Sequence, residues 1–111
     1  MRTLAFLSAS VALAGWTVTA QAQDLAAGTK LAVQVCSSCH SVDLRDVPSP
    51  NPKAPSFRAI AAMSSTTETS LAAFLTTSHE PMPNIVLSRD EIRDLTAYIL
   101  SLKQHAGSPK P

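Results

Sequence analysis

The segment Cys36-Ser37-Ser38-Cys39-His40 gathers both cysteines of the chain and one of its three histidines into a single pentapeptide. Two thiols three residues apart, near the end of a helix, can reach the two vinyl groups of one porphyrin and form thioethers. The adjoining His40 is then aimed at the iron as its proximal ligand, and C-x-x-C-H is the sequence signature of that covalent attachment. Two other chemistries use such residues. A redox dithiol uses C-x-x-C too, but it normally opens a helix, where the dipole lowers the first thiol's pKa. Here the pair closes one. Zinc would have only two thiolates and an adjacent imidazole, an awkward three-ligand set. The pattern therefore points to one covalently bound haem c.

A haem that moves electrons without binding exogenous ligands takes a second axial ligand from the protein, commonly a methionine thioether. The candidates are Met82, Met63, His79 and His105. Met82 lies in Pro81-Met82-Pro83, a non-helical loop whose flanking prolines stiffen it and lower the entropy cost of holding a sulfur in place. That singles out Met82 against Met63, which reads equally as a core filler on an Ala-Ala-Met turn. His79 reads as a partly exposed helix end, and His105 as a cation at a helix C-terminus.

These groups need helices to hold them. Asp24 can N-cap a helix running to about Cys36, with Leu25, Gly28, Leu31, Ala32 and Val35 on one face. Gly28 costs such a helix roughly 1 kcal/mol against Ala, which suggests a close crossing at that point. Prolines 48, 50, 52 and 55 make residues 47–55 an extended surface loop. A helical turn is expected around residues 56–63, and a helix capped by Thr66 or Thr67 runs through Leu71, Ala72, Phe74 and Leu75. In the last helix Ser88 and Glu91 form a capping box, and Leu87 and Ile92 a hydrophobic staple. Ile92, Leu95, Ile99 and Leu102 then share one face beside Tyr98. No alternating strand pattern and no repeat is visible. The expectation is an all-α domain of four to five short helices wrapped around one haem.

The amino end reads as an address. Arg2 is followed by a short apolar run, Leu4 to Trp16, and Ala20-Gln21-Ala22 places small residues at a cleavage site. The run is about 13 residues, short of the roughly 20 that span a bilayer. Residues 1–22 are expected to be a cleaved signal peptide. Residues 23–111 then form the mature domain, with its core at about 24–104 and a frayed tail over 105–111. The haem is attached outside the bacterial inner membrane, so the protein is expected in the periplasm with no span left after cleavage.

Composition narrows the function further. With 45% hydrophobic and 15% charged residues the chain is not disordered. The net charge of +1 becomes zero once Arg2 is removed, so no electrostatic pull toward nucleic acid is visible. Removing residues 1–22 also takes away the sole tryptophan, Trp16, leaving Phe57, Phe74 and Tyr98 as expected core aromatics. A domain this small gains from a group that completes its interior.

Over about residues 24–104 the chain resembles the class I c-type cytochromes, the mono-haem cytochrome c family. Gly28 stands eight residues before Cys36, where that family places a small residue in its first helix. CSSCH matches the attachment motif, and EPMPNIVLSRDEIRDLTAYILSLK resembles the family's Met loop and last helix. The resemblance implies His40 and Met82 as axial iron ligands, and Gly28 packed against Leu95 and Tyr98 where the terminal helices cross. It also implies that the Pro55 carbonyl accepts a hydrogen bond from His40. Departures are Ala32 in place of a common aromatic, Ala54 in place of a common Gly, and no mature Trp near a propionate. Nor is there a lysine ring for docking, since the expected mature chain has only Lys30, Lys53, Lys103 and Lys110. The implied function is a non-enzymatic periplasmic electron carrier between a redox donor and an acceptor. Its alternative is a dedicated cytochrome subunit of a periplasmic dehydrogenase, so the chain is either a monomer or a small subunit. Thiol-disulfide exchange is the reading from another class.

Overall fold

The computed structural model describes residues 22–45, 47–77 and 79–105. The expected signal peptide and the end of the expected tail fall outside the described residues, except that Ala22 and the chain to His105 lie within them. The elements are α1 (Leu25–Leu31), which continues into a π-helical turn (Ala32–Cys36), then α2 (Phe57–Ala62), α3 (Glu68–Thr76) and α4 (Arg89–Ser101), closed by a 3-10 turn (Leu102–His105). There is no strand among the described residues, and no helix there is long and apolar enough to cross a membrane. The fold is all-α.

Each helix starts where its side chains can satisfy the free amide groups of its first turn. Asp24 accepts from Ala27 N–H, Ser56 from Ala59 N–H, and Thr67 from Ser70 N–H. Ser70 returns the bond to Thr67, so α3 has its own capping box, and Thr67 rather than Thr66 is the cap. Thr66 is buried and donates its hydroxyl to the Ile60 carbonyl at 2.6 Å. At α4 the expected box forms: Ser88 N–H reaches Glu91 Oε2 at 2.7 Å, and Glu91 N–H reaches Ser88 Oγ at 3.3 Å.

α1 crosses α4, and Gly28 is the reason they come so near. A Cβ at residue 28 would lie 2.1 Å from the Asp94 carbonyl oxygen and 3.0 Å from Tyr98 Cβ. The Asp94 backbone is therefore the nearest neighbour, beside the expected Tyr98. Leu95 sits fully buried in the core with Ile99 and Leu102, joined by Ala32, Cys36, Val42, Phe57, Ala61 and Leu71. The crossing is latched at its end. Asp94 is 8% exposed, and its Oδ1 accepts from Asp24 N–H at 3.1 Å and Arg93 Nε at 3.0 Å. These donors hold the Asp94 carboxyl below its ordinary value, the Asp24 amide first.

Three expectations about burial need correction. Leu25 is half exposed; of its stripe Gly28 and Ala32 are buried, and Leu31 and Val35 pack partly buried against the core. Phe74 is 61% exposed and is no core aromatic. Leu71 and Leu75 carry the inward face of α3, and Phe74 stands on its flank against the edge of the His79 ring, centroids 5.2 Å apart. Met63 is 48% exposed at the C-cap of α2, so it fills no core gap.

Candidate functional site

The helix that carries the cysteines widens just before them. Over Ala32–Cys36 the hydrogen bonds step one residue further than in an α-helix, as in Ser37 N–H to the Ala32 carbonyl at 3.0 Å. The periodicity of the sequence gives no sign of this widening. The chain then turns on the Cys36 carbonyl, which accepts from both Cys39 N–H (3.1 Å) and His40 N–H (2.9 Å). That turn brings the pentapeptide to the C-terminal end of the helix. Cys36 is buried and Cys39 half-buried, and both are free thiols. Burial pushes the Cys36 thiol up from its ordinary value. A redox dithiol needs the reverse, a first cysteine with a lowered pKa.

His40 is held by the proline-rich loop. Its Nδ1 lies 2.7 Å from the Pro55 carbonyl oxygen, and its ring leans on buried Phe57, centroids 5.4 Å apart at 49°. A carbonyl oxygen can only accept, so Nδ1 carries the proton and Nε2 keeps its lone pair for a metal. Such a bond fixes ring orientation and raises the basicity of the ligating nitrogen. The loop is itself pinned to the motif. Asn51 N–H bonds the Cys39 carbonyl at 3.1 Å, Phe57 N–H the Ser41 carbonyl at 2.9 Å, and Ser41 N–H the Ser49 hydroxyl at 3.0 Å.

Asn51 and Ser49 are positioning residues that sequence reasoning did not single out. The signal was present in Asn51-Pro52-Lys53, a turn former, and the Asn51 side chain accepts from Lys53 N–H at 2.9 Å. Beside this loop, Val47, Pro48, Ser49, Pro52, Ala54 and Ser56 line an open cleft of about 490 Å³.

The other ligand candidates lie on later segments of the chain. Met82 is half-buried in a bend after the turn at Glu80–Pro81, whose peptide bond is cis. His79 lies beyond the end of α3 rather than on it, with Nδ1 2.9 Å from the Thr77 carbonyl oxygen. The His105 side chain lies outside the described residues. Among the described residues no three of His, Cys, Asp and Glu converge on a common metal position.

The donor set fits a covalently held haem: two unpaired thiols, and beside them an imidazole whose Nδ1 is held by a backbone carbonyl, leaving Nε2 free. Residues 25–103 match the family described as Cytochrome c. The chain belongs to the cytochrome c family. Cytochrome c-552 of Bradyrhizobium diazoefficiens (strain JCM 10833 / BCRC 13528 / IAM 13628 / NBRC 14792 / USDA 110) is similar, 37% identical over 93 residues, which cover 84% of this chain and 88% of the relative. No solved structure matches. Members of the cytochrome c family carry covalently bound haem c and transfer electrons between redox partners, and this chain is an electron-transfer protein of that kind.

Proposed function

We propose that the protein is an exported mono-haem carrier that passes single electrons in the periplasm, with the haem held by Cys36 and Cys39 and its iron by His40 and Met82. The observation that carries this reading is the 2.7 Å contact of His40 Nδ1 with the Pro55 carbonyl. It commits the imidazole to one tautomer and leaves a single nitrogen for iron. Haem c, when bound, supplies an iron that takes up and releases one electron. The chain's own residues fix its environment. Pro55 orients His40, Phe57 packs on the ring, and the prolines around Met82 stiffen the loop that presents the thioether.

Two protein ligands leave no coordination position for a substrate, which suits transfer and not turnover. The Ala20-Gln21-Ala22 site supports export, with residues 23–111 as the mature chain. A protein with balanced charge would meet its partners weakly and transiently through a small contact, as redox proteins do. Oxidised and reduced absorption spectra of the periplasmic protein, with haem staining of the denatured band, test the reading. A stained band and a reversible one-electron couple that does not bind carbon monoxide are expected. A colourless protein, or a reduced form that binds carbon monoxide readily, would overturn it. Size-exclusion of a native extract separates a free carrier from a dehydrogenase subunit.

A further inference from the structure

Gln23 follows the proposed cleavage site directly and precedes the helix cap by one residue. We propose that Gln23 is converted to pyroglutamate, so that the exported protein has an uncharged, blocked amino terminus, a modification that rests on the cleavage after Ala22 proposed above.

The geometry at this end favours ring closure. Asp24 is the first residue pinned by the fold: its N–H bonds Asp94 Oδ1 at 3.1 Å, and its Oδ1 accepts from Ala27 N–H at 3.0 Å. Gln23 stands just outside that anchor. It is exposed, and its one polar contact among the described residues runs from Nε2 to Glu68 Oε1 at 3.5 Å, the outer limit of a hydrogen bond. Its side chain is therefore free to fold back on its own nitrogen, while Asp24 keeps that nitrogen at the surface.

The chemistry needs nothing beyond the residue itself. An α-amino group has an ordinary pKa of about 8, so a usable fraction is unprotonated near neutral pH. The α-nitrogen attacks Cδ, the new N–Cδ bond closes a five-membered lactam, and the Cδ–Nε2 bond breaks. One amine proton leaves with Nε2 as ammonia, and nothing is oxidised or reduced. Holding both reacting groups in one residue makes the closure unimolecular.

The fold loses little by it. Asp24 and Asp94 already accept from backbone or arginine N–H groups, so neither depends on a terminal ammonium. Glu68 gives up only the long contact. The gain is a terminus closed to aminopeptidases and to amine chemistry, with one positive charge removed.

Intact mass of the exported holoprotein, followed by reductive dimethylation of its amines, tests the proposal, with Gln23→Asn as the control. Asparagine is one methylene short, and its closure would require a strained four-membered ring. The expected result is a mass equal to residues 23–111 plus one haem less one molecule of ammonia, with no label at residue 23. The Gln23→Asn protein keeps its full mass and labels at that position. Full mass with a labelled Gln23, after prolonged incubation at neutral pH, would overturn ring formation while leaving the cleavage reading intact. A chain that begins at any other residue would overturn both.

Discussion

The two flanks of the proposed haem site are built by different means. On the His40 side the protein supplies a hydrogen-bonded frame: Pro55 holds the imidazole, and Ser49, Asn51 and Phe57 tie the loop to the motif. On the Met82 side, no hydrogen bond among the described residues holds 81–87, and Leu87 alone of that stretch packs on the core. Proline stiffness would do there what hydrogen bonds do on the His40 side. The contrast suggests a division of labour. In the proposed site the chain itself organises the His40 face, and a bond from Met82 to iron would complete the other.

Removing the anchor is expected to have the largest effect. Cys36→Ala with Cys39→Ala should abolish attachment and leave a poorly folded chain, because a domain of this size relies on the haem's apolar faces to complete its interior. Circular dichroism and thermal melting check this. A colourless double variant that still melts cooperatively would show that the frame on the His40 side stands without the cofactor.

Next comes the crossing that carries the motif. Gly28→Ala would drive a methyl group into the Asp94 carbonyl, a contact of 2.1 Å against backbone that cannot swing away. Overpacking of this kind costs about 1–3 kcal/mol, to be read from denaturant midpoints. The effect should fall on global stability and leave the sixth ligand's spectrum unchanged.

The Asp94 latch gives a smaller, pH-dependent effect. Its carboxyl is lowered in the folded state, so its contribution is fully present above the ordinary carboxylate range and is lost as pH falls through the lowered value. The melting temperature should decline in acid, and Asp94→Asn should flatten the decline. Glu91, lowered by its capping bond to Ser88, has the same sign and leaves a residual slope. Smallest of all is Phe74→Ala. With 61% of the residue exposed it should change stability by less than about 0.5 kcal/mol, which a chemical denaturation curve would show.

Much of this arrangement was legible in the sequence because it follows local rules. The capping box at Ser88 and Glu91, the buried face of Leu95, Ile99 and Leu102, and the Gly28 crossing all follow from spacing. What escaped depends on tertiary context. The π-helical turn at Ala32–Cys36 leaves no mark on hydrophobic periodicity. Phe74 reads as core by type, but only the packing of Leu71 and Leu75 decides which flank it takes. The roles of Ser49 and Asn51 come from a fold-back of the loop onto the motif, a contact between segments that no local pattern encodes.

The proposed pairing of a rigid imidazole with a loop-borne thioether is tested most directly by the sulfur-to-iron charge-transfer band of the oxidised protein. The native protein and Met63→Ala should show the band. Met82→Ala should lose it, keep its haem attached, fall in potential and bind imidazole at the opened position. Retention of the band in Met82→Ala together with its loss in Met63→Ala would contradict the assignment.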